Sequence, residues 1–197
     1  GSLQVCPYYN KPSQEGLYLH FKAIAESTNL PIMLYSVPGR SVIEISPETT
    51  ARLAADFPNI TAIKEAGGSV DRVNQLVQAL PDDFGILCGD DPLTLPFVSC
   101  GATGLVSVAS NLIPEVIVRL VKACLSGNFP EALALQRLYY PLMPGLMSLD
   151  VNPVPIKTAV ALQGHCLPDL RLPLAPMSAA NTASLTTLLK SYQLLPS

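Results

Sequence analysis

Short apolar segments alternate with amphipathic segments of helical periodicity through the first two thirds of the chain. The apolar segments begin near residues 3, 31, 60, 85 and 104, and a spacing of roughly 20–30 residues is the length of a βα unit. Such regular alternation of strands and helices predicts a parallel sheet with right-handed crossover connections. The chain is therefore predicted to be an α/β protein.

The polar residues that follow the predicted strands favour a barrel over an open doubly wound sheet. No glycine-rich phosphate-binding loop follows any strand. Tyrosine, lysine and aspartate side chains recur instead at the carboxyl ends of successive strands, where a (β/α)8 barrel collects its active site. After residue 127 the pattern contains helices alone. We therefore predict part of a (β/α)8 TIM barrel over residues 1–127 and a C-terminal helical extension over residues 128–197.

Three later elements are predicted with the following bounds. A helix is expected over residues 92–100, after the Gly-Asp-Asp segment that follows the fourth strand. The fifth strand is expected over residues 104–108, and one continuous helix over residues 129–143.

The composition argues against several classes of function. Charged residues make up 14% of the chain and the net charge is −3, so no basic surface for nucleic acid is predicted. Apolar runs end well before the ~18 residues that a transmembrane helix needs, and the chain opens on a strand-like segment rather than a signal peptide. The 5 cysteines are scattered and the 2 histidines isolated, which predicts free thiols in a reducing compartment and no metal site. We therefore expect a cytoplasmic protein, or one of the plastid stroma, that binds no membrane.

The segment from Ile60 to Gly68 contains the residue with the most distinctive chemistry. Its sequence, Ile-Thr-Ala-Ile-Lys-Glu-Ala-Gly-Gly, predicts a buried strand with Lys64 at the carboxyl end. Burial disfavours the charged form of lysine, and a neutral amine can add to a carbonyl group and form a Schiff base. The alternative is a strand-end lysine whose ammonium group reaches solvent. The position of Lys64 alone leaves both interpretations open.

Six short motifs follow one another at regular places over nearly the whole chain. They are Pro7–Gly16, Leu34–Arg40, Ile63–Ala66, Cys88–Asp91, Asn152–Lys157 and Leu170–Leu174. Together they resemble the dihydrodipicolinate synthase family, also called the 4-hydroxy-tetrahydrodipicolinate synthases, whose members condense pyruvate in the diaminopimelate route to lysine. The resemblance implies a TIM barrel of class I aldolase type, of which this chain carries strands four to eight.

The resemblance assigns roles to four side chains. Lys64 matches the lysine that forms a Schiff base with pyruvate, and Tyr35 matches the tyrosine that transfers protons during imine formation. Arg40 matches the arginine that binds the carboxylate of L-aspartate semialdehyde, a task suited to a planar guanidinium. Tyr9 matches the tyrosine that a neighbouring subunit adds to the proton relay. The implied reaction is an aldol-type condensation that gives 4-hydroxy-tetrahydrodipicolinate without a metal or an organic cofactor.

Three further residues complete the expected site. Tyr8 is expected at the tight interface between subunits, beside Tyr9. Val106 stands where the family places a backbone carbonyl near the methyl group of pyruvate, and Gly89 is assigned to substrate binding with it. The family resemblance further implies a homo-oligomer, a dimer of dimers, and feedback binding of L-lysine.

Each of these residues has a purely structural alternative. Tyr8 and Tyr9 can be ordinary interface aromatics. Tyr35 can be a core tyrosine with a satisfied hydroxyl group, and Arg40 a loop arginine in solvent. The adjacent acidic residues Asp90 and Asp91 fit a helix N-cap pair better than a catalytic role.

The resemblance begins at the fourth strand of the family barrel, so three βα units, or about 90–100 residues, have no counterpart in this sequence. We therefore expect the chain on its own to have poor catalytic turnover. Two other functions stay open: a related pyruvate aldolase, such as N-acetylneuraminate lyase or a keto-deoxy-sugar-acid aldolase, and a remnant that serves as an interaction subunit. Arg40 argues against the sugar-acid aldolases, which generally lack this arginine.

Overall fold

The structure is a computed structural model that describes residues 1–196. Within these residues, five parallel strands form a single sheet. The strands are hydrogen-bonded in sequence order, and each neighbouring pair is parallel. The arrangement confirms the predicted alternation of strands and helices. The strands are β1 (Ser2–Val5), β2 (Ile32–Ser36), β3 (Ile60–Glu65), β4 (Gly85–Cys88) and β5 (Gly104–Leu105).

Five α-helices lie between or after these strands in the first part of the chain, and serine caps explain where three of them begin. Ser13, Ser46 and Ser69 each accept a hydrogen bond from the backbone N–H three residues later, which satisfies a free donor of the first turn. The helices are α1 (Gln14–Glu26), α2 (Pro38–Ser41), α3 (Pro47–Asp56), α4 (Val70–Ala79) and α5 (Thr94–Ser99).

The later part of the chain is helical. Asn128 and Ser178 cap two of these helices through their side chains. Leu185 and Leu189 of the last helix are fully buried. The helices are α6 (Pro114–Leu125), α7 (Phe129–Tyr139), α8 (Leu142–Ser148), α9 (Val154–Leu162) and α10 (Ala179–Ser191).

Contacts divide the chain into two compact units, Gly1–Val106 and a second one from Ser107 onward. The predicted division into 1–127 and 128–197 follows the change in element type and stays a prediction. Among the described residues, every helix is too short or too polar to cross a lipid bilayer.

Three predicted elements have different bounds in the structure. The expected helix over residues 129–143 is wrong: α7 stops at Tyr139, and a separate helix, α8, begins after Pro141, which has no N–H to continue the first one. The expected helix over residues 92–100 opens with a 3-10 turn over Asp91–Leu93. The fifth strand ends at Leu105 instead of residue 108.

The two faces of the sheet differ in burial. One face packs on α3, α4 and α5. Its side chains include Leu34, Ile63 and Ile86, which lie opposite one another on neighbouring strands and are almost fully buried. Tyr35 and Lys64 have the opposite parity and are partly exposed on the other face.

A one-residue shift in pairing determines which side chains share the second face. Ile32 lies opposite Ile60, but the next residue, Met33, lies opposite Ala62. Thr61 is therefore an extra residue of β3 with no counterpart in β2, as in a β-bulge. Beyond this shift, Tyr35 pairs with Lys64. Without it, Tyr35 would lie opposite Ile63.

Candidate active site

The structure brings the predicted Schiff-base lysine and the predicted proton-transfer tyrosine together. Lys64 and Tyr35 are paired at the carboxyl ends of β3 and β2. The Lys64 Nζ atom lies 4.1 Å from the centroid of the Tyr35 ring. A cation over an aromatic face is attracted by the negative face of the ring. The pair thus forms an amine and a phenol in contact at the end of the sheet where parallel α/β proteins bind ligands.

Gly89 provides the space that the Lys64 side chain occupies. Its N–H donates a hydrogen bond to the backbone oxygen of Glu65 over 2.8 Å, which holds the two strand ends close together. A Cβ atom at Gly89 would lie 3.0 Å from Cε of Lys64, 2.7 Å from Cβ of Ala66 and 3.0 Å from the Glu65 oxygen. A larger residue at this position would therefore displace the lysine stem or the strand end.

A buried ion pair lies on the other side of β3, directly behind Lys64. The Glu65 side chain is fully buried, and its Oε2 atom lies 2.6 Å from Nε of Arg72 in α4. Its Oε1 atom accepts a hydrogen bond from the N–H of Gly67 over 2.7 Å. Burial raises the pKa of the Glu65 carboxyl, and the nearby Arg72 guanidinium counteracts this effect.

This ion pair was not predicted from the sequence, although a signal for it was present. Arg72 lies beside Val73 and four residues before Leu76, within the apolar stripe of an amphipathic helix. An arginine in such a stripe requires a buried partner, since an unpaired buried charge is costly. The partner itself, Glu65, could be found only once the strand and the helix were placed together.

Arg40 lies on the segment that links β2 to α3. It belongs to the single turn α2 and is exposed. The following residue, Ser41, is buried, and its hydroxyl group bonds to the backbone oxygens of Val37 and Ile43 over 3.0 and 2.6 Å. Val42 ends the turn in the left-handed region, with φ of 69°. The turn that carries Arg40 is thus held by its own side-chain hydrogen bonds.

Tyr8 and Tyr9 follow β1 and expose 72% and 89% of their surface. Tyr9 also has a positive φ of 73°, an uncommon conformation for a bulky residue that is often found at functional sites. Exposed aromatic rings of this kind suit an interface with another chain. Their predicted roles at a subunit interface stay predictions.

Val106 follows β5, and its N–H donates to the backbone oxygen of Cys88 over 2.8 Å. Val106 is one of the residues that line a concavity of about 380 Å³ on the sheet. Lys64, Tyr35 and Arg40 are not among the lining residues. The predicted role of Val106 in substrate binding stays a prediction.

The acidic pair after β4 only partly matches the predicted helix cap. Asp90 occupies the N-cap position of the 3-10 turn, but its side chain makes no capping hydrogen bond. Burial and the adjacent Asp91 raise the pKa of the Asp90 carboxyl. Asp91 itself is buried.

The thiols near the strand ends are not competing nucleophiles. Burial raises the pKa of Cys6 to about 11 and that of Cys88 to about 12. Because the thiolate is the reactive form of cysteine, both groups are unreactive near neutral pH. Within residues 1–196, no group of three or more His, Cys, Asp or Glu side chains could hold a metal ion.

The family model, the related sequences and the solved structures that the chain matches all point to one family. The model of the dihydrodipicolinate synthetase family matches residues 1–192. The chain is 49% identical over 195 residues to the 4-hydroxy-tetrahydrodipicolinate synthase of Sulfurihydrogenibium sp. (strain YO3AOP1), an alignment that covers 98% of this chain. It spans 66% of the length of that relative.

Solved structures of the same enzyme have the same fold over the length of this chain. The dihydrodipicolinate synthase from Aquifex aeolicus is 42% identical with a TM-score of 0.95, over 98% of this chain and 65% of its own. A chloride-inhibited dihydrodipicolinate synthase from Acinetobacter baumannii, complexed with pyruvate, is 37% identical with a TM-score of 0.93, over 98% of this chain and 66% of its own. These similarities confirm the predicted α/β fold, consistent with part of a TIM barrel.

Proposed function

Because the chain belongs to the dihydrodipicolinate synthetase family, we propose that it takes part in the condensation of pyruvate with L-aspartate semialdehyde through a Schiff base on Lys64. The product is 4-hydroxy-tetrahydrodipicolinate, a precursor of diaminopimelate and lysine. The observation that carries the proposal is the 4.1 Å contact between the Lys64 amine and the ring of Tyr35 at the carboxyl ends of neighbouring strands. The pyruvate complex of the related A. baumannii enzyme supports the choice of keto acid.

Lys64 acts as the nucleophile. Its neutral amine adds to the keto carbon of pyruvate, and loss of water gives the imine. The imine nitrogen then draws electrons from the adjacent methyl group, which loses a proton and becomes an enamine. The enamine carbon attacks the aldehyde carbon of the second substrate and forms the new carbon–carbon bond. The amino group of that substrate can then attack the imine carbon, which closes the ring and releases Lys64.

Tyr35 transfers the protons that these steps require. A hydroxyl group must leave as water when the imine forms, and the aldehyde oxygen must gain a proton when the new bond forms. The phenol is held against Lys64 by the strand pairing, so it can serve both steps without moving its backbone. Tyr9, supplied by a neighbouring subunit, completes the relay, and Tyr8 packs at that interface.

Arg40 selects the second substrate. L-aspartate semialdehyde carries a carboxylate, which a guanidinium binds with two parallel hydrogen bonds. Gly89 gives the Lys64 stem its space, and Val106 binds pyruvate through its backbone. The reaction uses no metal or organic cofactor. Association as a dimer of dimers, feedback binding of L-lysine and a cytoplasmic or plastid location stay predictions.

Reductive trapping tests the proposal directly. The chain is incubated with pyruvate and borohydride, digested, and analysed by mass spectrometry. One reduced pyruvate adduct is expected on the peptide that contains Lys64, and none on the peptide that contains Lys122, an exposed lysine of α6. No adduct, or equal labelling of both peptides, would contradict the proposed Schiff base and favour a non-catalytic remnant.

A second measurement distinguishes the proposed substrate from those of related aldolases. After the imine has formed, L-aspartate semialdehyde is compared with N-acetylmannosamine and with a sugar-derived aldehyde. Faster consumption of L-aspartate semialdehyde is expected, since Arg40 offers a cation to its carboxylate. Preference for either sugar aldehyde would assign the chain to the other pyruvate aldolases.

Gly89→Ala is expected to slow adduct formation at Lys64 by roughly 10- to 100-fold, because small displacements of a reacting group cost this much. The added methyl group would meet Cε of Lys64 at 3.0 Å and Cβ of Ala66 at 2.7 Å. The rate of borohydride-trapped adduct formation measures the effect. Gly39→Ala is the matched control, since a Cβ atom at Gly39 has nothing within 4 Å. Equal rates for the two variants would exclude the steric role of Gly89.

A further inference from the structure

Arg72 joins the end of β3 to the segment that carries Arg40. Its Nε atom lies 2.6 Å from Oε2 of Glu65 and 3.6 Å from Oε2 of Glu44. Its Nη2 atom donates a hydrogen bond to the backbone oxygen of Ile45. The Arg72 side chain is only 7% exposed. One guanidinium therefore connects α4, the strand of the candidate nucleophile and the linker after β2.

The linker from Ser36 to Ile45 is held to β3 at both of its ends. At its start, the backbone oxygen of Ser36 accepts a hydrogen bond from the N–H of Ala66 over 2.9 Å. At its end, Ile45 is fully buried, and its backbone oxygen accepts a hydrogen bond from the Arg72 guanidinium. Glu65 holds that guanidinium in place through an ion pair. Arg40 lies between these two anchors, so its backbone cannot shift far relative to Lys64 while both anchors are intact.

Glu65 and Arg72 act without touching the candidate reacting groups. Successive side chains of a strand point to opposite faces, so Glu65 lies on the buried side of the sheet while Lys64 lies on the other. A buried ion pair is weak evidence for stability, since replacement by apolar residues is often neutral. Its geometric effect here is more specific, because a planar guanidinium can bond to a carboxylate and a carbonyl oxygen at once.

We propose that Glu65 and Arg72 are positioning residues that set the distance between Arg40 and Lys64 and thereby favour an aldehyde substrate with a carboxylate. The predicted effect on substrate choice rests on the proposed function. The predicted order of the linker around Ile45 is independent of the proposed function. The two parts can therefore be tested separately.

The variant Arg72→Lys, made in the full 197-residue chain, tests both the order of the linker and the substrate preference. A lysine keeps the positive charge beside Glu65 but cannot bridge to Ile45 with the same planar fork. We expect backbone amides of residues 42–46 to exchange hydrogen about tenfold faster than in the parent, while amides of β4 are unchanged. The ratio of kcat/KM for L-aspartate semialdehyde to that for butanal, which has no carboxylate, should fall roughly 10- to 100-fold. The rate of pyruvate trapping on Lys64 should stay within about twofold.

Two further variants distinguish the positioning role from a general loss of folding or stability. Arg119→Lys is the matched control, since Arg119 forms an exposed pair with Glu131 at 2.5 Å, and neither readout should change. If Arg72→Lys fails to fold, Glu65→Gln combined with Arg72→Met removes both charges together and leaves no unpaired buried charge. This double variant also lacks the bridge to Ile45, so it should show the same faster exchange and loss of preference.

The outcomes separate this proposal from the proposed function. Unchanged exchange in residues 42–46 would overturn the positioning role, whatever the activity. An equal loss with both aldehydes, at unchanged trapping, would overturn the link to substrate choice. Absence of pyruvate trapping in the parent chain would refute the proposed function alone, and the exchange rates would still decide the positioning role.

Discussion

Lys64→Ala is expected to abolish both the borohydride-stable pyruvate adduct and the low turnover with L-aspartate semialdehyde that the chain is expected to have on its own. The amine is the only atom of the candidate site that can form the covalent imine, and the nearby thiols of Cys6 and Cys88 stay protonated because burial raises their pKa. Mass spectrometry after reduction and a coupled turnover assay measure the two effects. Lys122→Ala, a change at an exposed helix position, is the control and should resemble the parent. An adduct of normal yield in Lys64→Ala would show that the nucleophile lies elsewhere.

Arg72→Met is expected to lower the free energy of unfolding by about 3–5 kcal/mol near neutral pH, because it leaves the Glu65 carboxylate buried without its cation. Burial already raises the pKa of Glu65 above the usual 4.5, and loss of Arg72 removes the interaction that lowers it. The folded variant then holds the Glu65 proton more tightly than the unfolded chain. Its stability is therefore retained in acid and lost as the pH rises through the folded pKa.

Urea unfolding of Arg72→Met and the parent, at about pH 5 and about pH 8, measures this difference. The destabilisation should be larger at the higher pH. Arg119→Met removes an exposed ion pair and should cost at most about 1 kcal/mol at either pH. The same loss for Arg72→Met at both pH values would show that the Glu65 charge does not cause it.

Local signals in the sequence predicted where several elements begin. Ser13 and Ser46 cap α1 and α3, and the sequence signal for both is a short polar side chain before an apolar repeat, which satisfies the first free N–H groups. The break between α7 and α8 was missed because the apolar repeat continues across Pro141. The length of β5 also depends on pairing with β4 over only two residues, and an apolar run carries no information about its partner strand.

For the site, the sequence could place Lys64 and Tyr35 at the ends of parallel strands, and therefore at the same edge of a sheet. It could not predict the contact between them, since that depends on the register of β2 against β3. It also could not show that Glu65 is paired with Arg72, because a strand residue and a helix residue meet only in three dimensions. The role of Gly89 required the position of the Lys64 stem.

The extra residue in β3 is what brings the lysine opposite the tyrosine. If β2 and β3 paired without interruption from Ile32 and Ile60 onward, with Thr61 included in the pairing, Lys64 would lie opposite Ser36 and its amine would point into the helix layer. Loss of Thr61 leaves the pairing intact, because Ala62 would then follow Ile60 directly and still lie opposite Met33. Chains of this type should therefore tolerate substitution or loss of the exposed Thr61 far better than a gap between Ala62 and Lys64, which would move the lysine out of register with Tyr35.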